Sequence, residues 1–231
     1  MIIFRRFLLK NWWKLVGLAL LIYVTAGGFL FEVPLLPVIR ESIRNIYFHV
    51  GMWFSMMFIL GVSLYFSLRY LRFFRPEDDL KAMVAVKTGL VYGTLGLFTG
   101  MIWAYNTWGA FWINDPKLNG AAVGMLTYLA YLVLRGSVEN PDKRARLASV
   151  YNIFAFVIYF VFIMILPRLA PVSIHPGIDG NPALSTGDLD PRMQKVFFPA
   201  IAGWIILAFW IFRVHYRITF LNKQIDEITE K

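Results

Sequence analysis

The sequence predicts an all-α, polytopic membrane protein: a bundle of six transmembrane helices with both termini in the cytoplasm. Three observations predict it. Hydrophobic residues make up 58% of the chain and charged residues only 16%, a balance that a soluble core cannot hide and a bilayer can. Apolar segments recur at residues 15–36, 46–68, 82–105, 119–134, 148–167 and 196–214. Each must be helical, because backbone groups find no water to bond in hydrocarbon. The basic residues, finally, crowd onto one side of those segments.

The first segment follows Arg5, Arg6, Lys10 and Lys14. Its Val24-Thr25-Ala26 loosely fits a small-residue cleavage site, but the apolar run continues to Leu36, which favours an uncleaved anchor. The second segment leads into Arg69, Arg72, Arg75 and Lys81, where Arg75-Pro76-Glu77-Asp78-Asp79 reads as a turn and a helix start. The third carries Gly89, Gly93, Gly96 and Gly100, a spacing that lets helix backbones approach closely. The fourth is the shortest and leads to Arg135, Lys143, Arg144 and Arg146. The last ends in a tail with Arg213, Arg217, Lys223 and Lys231. The opposite side holds fewer: Arg40, Arg44, Lys117, Arg168, Arg192 and Lys195. The positive-inside rule makes the richer side cytoplasmic, and an even number of spans returns both ends to it.

That distribution also disposes of the net charge of +9. Basic residues in short runs between apolar stretches are topology signals and lipid-headgroup contacts, with no nucleic-acid surface among them. The absence of Cys excludes disulfides, thiolate metal sites and thioether attachment of haem to this chain. No GxxxxGK[ST] run exists, so any ATPase is a partner. The chain reads as a single transmembrane domain.

Two outer connections are unusual. Residues 106–118 read NTWGAFWINDPKL, with Trp103, Tyr105, Trp108, Phe111 and Trp112 close together around Gly109. Trp108 and Trp112 stand at i, i+4, so a helical turn would put both rings on one side. An aromatic belt explains one or two of these rings; a flat apolar platform for a planar ligand explains the group. The connection 168–195 is long and punctuated by Pro171, Pro176, Pro182 and Pro191 with Gly177, Gly180 and Gly187, as functional or disordered loops are.

The chain has three histidines. His49 enters the second helix at its outer end, His175 lies in the long outer connection before Pro176, and His215 lies at the inner end of the last helix. Met52, Trp53 and Met56 follow His49 at i+3, i+4 and i+7, on one helix face. An ordinary helix contact with Met as filler would look the same. Together the outer face offers two imidazoles, an aromatic shelf and the cations Lys117, Arg168, Arg192 and Lys195. A ligand that matches is planar, apolar, metal-containing and anionic at its edge. Haem fits, with imidazole on iron and a cation on a propionate; a quinone, a lipid or no ligand at all remains open on chemistry alone.

At this point the residues resemble a known family. Trp108-Gly109-Ala110-Phe111-Trp112-Ile113-Asn114-Asp115-Pro116-Lys117-Leu118 is similar to the WGxxWxWDxRL signature of the tryptophan-rich, haem-handling membrane proteins of cytochrome c biogenesis, and the six-span layout to their short, CcmC-like branch. Ile46-Tyr47-Phe48-His49-Val50, Tyr128-Leu129-Ala130-Tyr131-Leu132-Val133-Leu134-Arg135 and Ser173-Ile174-His175-Pro176-Gly177 resemble further stretches of that branch. Asn114 stands for a tryptophan and Lys117 for an arginine, which implies a smaller shelf and a monodentate propionate contact, since Lys lacks the guanidinium fork.

The resemblance implies a protein of the bacterial inner membrane that binds haem b at the periplasmic face and delivers it to a CcmE-like haem chaperone. It would work beside a CcmA/CcmB transporter and a CcmD-like small subunit, without enzymatic activity of its own. His49 and His175 would be the axial ligands of the haem iron. Trp53, Trp108, Gly109, Phe111, Trp112, Asp115 and Lys117 would form the rest of the binding site and the chaperone-docking shelf. The alternatives are a haem lyase that joins haem to apocytochrome and a cofactor-free permease subunit, for which Glu32 and Lys87 are the intramembrane charges to consider.

Overall fold

In a computed structural model the described residues are 2–36, 38–170, 173–175 and 189–229, with the side chains of residues 2–9 left aside. Pro171, Pro176, Pro182, Gly177, Gly180 and Gly187 of the long connection lie outside them. Among the described residues the structure is all-helical. It comprises α1 (Ile2–Leu30), α2 (Ile46–Phe73), α3 (Pro76–Trp108), α4 (Pro116–Gly136), α5 (Pro141–Phe160) and α6 (Pro191–Thr229). A 3₁₀ turn, Arg40–Asn45, precedes α2, and a π-helical turn, Val161–Ile165, extends α5 into a last turn, Leu166–Leu169. Among the described residues six helices are long and apolar enough to cross a membrane.

Local chemistry sets the helix ends. Proline occupies the first turn of α3, α4 and α5, where its missing N–H costs nothing. Glu77, Asp78 and Asp79 fill the first turn of α3, favourable at the positive end of the helix dipole. Asp115 and Asn140 cap α4 and α5 by accepting from the amides of Lys117 and Lys143. α3 stops at Gly109, whose φ of 78° is one that a side chain resists. α1 ends at Leu30 although the apolar run continues to Leu36. Its last carbonyls are taken by Arg44, whose Nη1 donates to Gly28 O at 2.9 Å and Phe31 O at 2.6 Å. That cation is therefore committed to the backbone.

α2 is the hub and packs against α3, α5 and α6; α1 leans on α6, and α4 on α5 and the π turn. α3 and α4 touch little, so the halves that flank their connection stand apart. A buried polar clasp helps fix the hub: Asn152 Nδ2 donates to Ser63 Oγ at 2.7 Å and Ser67 Oγ at 2.8 Å, and Ser63 Oγ donates to Ala82 O at 2.8 Å. Such bonds between helices contribute on the order of 0.6–2 kcal/mol each. At the end of the bundle opposite His49, Arg135 grips Asp79 across α4 and α3, with Nη1 2.6 Å from Oδ1.

Candidate functional site

The separation of α3 from α4 leaves a cavity of about 1160 Å³, counted to its open mouth. α2 supplies one wall through Ile46, His49, Val50, Trp53, Phe54 and Met57. α3 supplies Gly96, Gly100, Trp103 and Trp108, the connection to α4 adds Trp112, and the first turn of α4 adds Lys117. Ile163 and Met164 of the π turn face it from the far side, in keeping with the way π turns mark functional stretches. His175 lines it as well. The wall is apolar apart from two imidazoles and one ammonium.

His49 is held by α3. Its Nδ1 lies 3.0 Å from Gly96 O and 3.2 Å from Thr99 Oγ1. A carbonyl only accepts, so Nδ1 carries the hydrogen and Nε2 keeps its lone pair. The glycine spacing of α3 makes the room. A Cβ on Gly100 would sit 2.6 Å from His49 Cε1, and one on Gly96 would sit 2.9 Å from Trp53 Cε2. Trp53 and Trp103 then meet the imidazole edge-on, with ring centroids 6.4 and 5.9 Å away. Trp103 is itself tied by Nε1 to Ser42 Oγ at 3.0 Å.

His175 is held by a carboxylate. Its Nδ1 lies 2.8 Å from Asp115 Oδ1. The same Oδ1 accepts from Lys117 N at 2.8 Å, while Oδ2 accepts from Ser173 Oγ at 2.9 Å and Ile174 N at 3.0 Å. Asp115 is 2% exposed. Burial opposes its ionisation, but the His175 imidazole and the amides of Lys117 and Ile174 outweigh it and hold the carboxyl below the usual carboxylate range. A carboxylate on Nδ1 leaves Nε2 open, the arrangement that orients metal-binding histidines. Trp108 lies against the ring, with centroids 5.5 Å apart.

The structure therefore gathers His49, Trp53, Trp108, Trp112, Lys117 and His175 at one cavity. It places Asp115 behind His175 rather than on the wall. Gly109 ends α3 with nothing within 4 Å of its would-be Cβ, and Phe111 turns aside to stack on Tyr105, 4.5 Å away and 15° from parallel. The helical turn expected to align Trp108 with Trp112 does not form. Trp108 is the last residue of α3, and Gly109 reverses the chain, so Trp112 reaches the cavity from the connection instead. The expected His49 face also divides. Trp53 and Met57 line the cavity, while Met52 and Met56 turn into the core at 5% and 0% exposure. Among the cations expected on this face Lys117 lines the cavity. Arg168 and Lys195 are exposed, and Arg192 pairs with Asp190 at 3.0 Å and Glu32 at 3.7 Å. His215 lies elsewhere, with Nδ1 3.2 Å from Thr88 Oγ1.

Sequence reasoning missed Thr99, Gly100 and Ser173 as supports of the two imidazoles. The small-residue spacing of α3 was the available signal for Gly100, but nothing in sequence separation tells a glycine that admits a helix from one that admits a ring. Asn114, at the position of a signature tryptophan, accepts from Asn119 Nδ2 at 2.8 Å and so braces the first turn of α4.

The chain is 29% identical over 184 residues to the haem exporter protein C of Rhodobacter capsulatus, covering 78% of this chain and 73% of that protein. It is 29% identical over 170 residues to the haem exporter protein C of Paracoccus denitrificans, covering 72% and 68%. An 85-residue stretch is 36% identical to the cytochrome c biogenesis protein CcsA of Prochlorococcus marinus, covering 37% of this chain and 27% of that protein. The sequence profile described as Cytochrome C assembly protein matches residues 4–170, a stretch that contains His49 and the Trp108–Lys117 segment and ends ahead of His175. On that match the chain belongs to the cytochrome c assembly protein family.

Proposed function

We propose that this protein binds haem b between His49 and His175 at the periplasmic face of a bacterial inner membrane, both its termini lying in the cytoplasm. It hands the haem to a CcmE-like chaperone during c-type cytochrome maturation, alongside a CcmA/CcmB transporter and a CcmD-like subunit. The supporting observation is one apolar, tryptophan-walled cavity onto which two imidazoles open, His49 with Nδ1 on a backbone carbonyl and His175 with Nδ1 2.8 Å from a buried carboxylate oxygen. Two nitrogens are too few to hold a bare metal ion, and they are the two that a metal in a planar macrocycle lacks. Haem, when bound, supplies that iron. The similarity to haem exporter proteins C supports the same reading.

Each part of the site then has a task. His49 and His175 bind from opposite supports, a helix and a connection. Trp53, Trp108 and Trp112 cover the faces of the ring and exclude water. Lys117 neutralises a propionate as a single point of charge. Asp115 keeps His175 in the tautomer that can ligate. Delivery needs one ligand to withdraw, and His175, resting on a connection, is the one that can move without disturbing a span. The protein presents and transfers haem in this scheme and makes no covalent bond to it.

The test is the visible spectrum of the purified protein, oxidised and reduced. Wild type is expected to carry a six-coordinate haem signature, and a His49→Ala, His175→Ala double variant to lose it. Equal haem in both removes the axial assignment. Covalent haem ligation to apocytochrome by the protein alone, without other maturation factors, would replace delivery by the lyase reading.

A further inference from the structure

At the end of the bundle opposite the cavity, α1 and α6 form a second and very different recess. Lys10, Lys14, Arg213 and Arg217 converge on a groove of about 420 Å³ beside Trp13 and Trp210. The two indoles meet edge to face with centroids 6.4 Å apart. They hold the cations in place: Lys14 Nζ lies 5.6 Å from the Trp13 ring and 5.1 Å from the Trp210 ring, and Arg213 Cζ lies 5.7 Å from Trp13. Among the described residues none of the four cations sits in an ion pair. Some basic residues at the same end are instead engaged by carboxylates, as Arg135 is by Asp79 at 2.5 Å and Arg69 by Asp78 at 3.5 Å.

We propose that this groove binds the phosphate headgroup of an anionic phospholipid. Four like charges held close together repel one another, and an anion between them relieves that repulsion. The indoles mark the depth of a headgroup, where an amphipathic ring settles, and the spans on either side leave acyl chains beside exposed apolar residues such as Leu15 and Ile211. A topology signal needs basic residues only on the correct side of the membrane; it does not need two helices to aim them into one recess. The bound phosphate bridges the ends of α1 and α6, which matters because α1 is attached to the bundle mainly through α6.

The experiment uses the full-length protein, purified and stripped of lipid, with retained lipid read by native mass spectrometry. The probes are phosphatidylglycerol, cardiolipin, phosphatidylcholine and inorganic phosphate. Wild type is expected to retain phosphatidylglycerol and cardiolipin and not phosphatidylcholine. A Lys14→Gln, Arg213→Gln variant loses about thirtyfold of that retention, at roughly one surface charge's worth of attraction per residue. Lys14→Arg keeps it, and Lys143→Gln, Arg146→Gln, which removes the same charge from another part of this end, changes it little. Should the first variant fail to fold by circular dichroism, Lys10→Gln, Arg217→Gln on the groove's exposed rim provides the same reading. Unchanged retention in the groove variants, equal retention of phosphatidylcholine, or full displacement of the lipid by inorganic phosphate alone overturns the proposal. The haem spectrum is independent of all these outcomes.

Discussion

His49 and His175 face one cavity but are secured by opposite means. His49 belongs to a long helix whose backbone already fixes its position. A neutral carbonyl, Gly96 O at 3.0 Å, suffices to select its tautomer. His175 belongs to an irregular connection with no ladder of its own. One buried carboxylate supplies both position and tautomer, binding the imidazole at 2.8 Å and the Ser173 hydroxyl and Ile174 amide beside it. A charged acceptor suits that task, because charge-assisted bonds are roughly twice as strong as neutral ones. The difference teaches that a helix-borne ligand depends on space, whereas a loop-borne ligand depends on a hub.

The largest effect that tests this contrast is His49→Ala. On the proposed assignment, haem retained through purification should fall more than about tenfold, since His49 sits on a long helix; His175→Ala should cost less and convert a six-coordinate spectrum to a five-coordinate one. Equal losses would erase the asymmetry. Next comes Asp115→Ala, which removes the hub and the α4 cap together. Loss of an outer-shell partner lowers metal affinity by roughly 10–100-fold, and loss of the cap costs about 1 kcal/mol of stability. Haem titration and thermal unfolding measure the two separately, and Asp115→Asn, which still caps but carries no charge, should fall between.

Gly100→Ala addresses the other support. Its Cβ would stand 2.6 Å from the His49 ring, so the imidazole must tilt; haem affinity should drop about tenfold while His175 stays on Asp115. The smallest effect is a pH dependence. The Asp115 carboxyl is held below its ordinary value, near 4. A depressed carboxyl contributes stability that is complete above the unfolded-state value and fades as pH falls through the lower folded one. Hydrogen-exchange protection of the Ile174 amide should therefore persist from neutral pH to about 4 and decline only below. In Asp115→Asn that decline should be absent.

Much of this was legible in the chain. The six apolar runs each correspond to a helix of sufficient length and hydropathy, because in hydrocarbon the backbone can be satisfied only within its own segment. Helix ends were less legible. α6 continues to Thr229, beyond residue 214, since hydropathy marks where a helix leaves lipid and carries no information about where it stops. His49, His175, Trp53, Trp108, Trp112 and Lys117 were singled out by residue type and side of the membrane, and they meet at one cavity. Phe111 was grouped with them by proximity in sequence alone. Its ring found a closer partner in Tyr105.

The sequence by itself determined the medium, the helices and which chemical groups share a face, since each follows from composition, local spacing and the positions of charges. Tertiary structure alone decided how those groups are used. It brought α3 against α2 so that Gly100 could admit an imidazole, and it turned Met52 and Met56 into the core while Trp53 stayed at the cavity. It also set Asp115 behind a histidine far along the chain instead of on the shelf beside its tryptophans. Those outcomes depend on distances between helices, and such distances are fixed only when all the side chains pack at once.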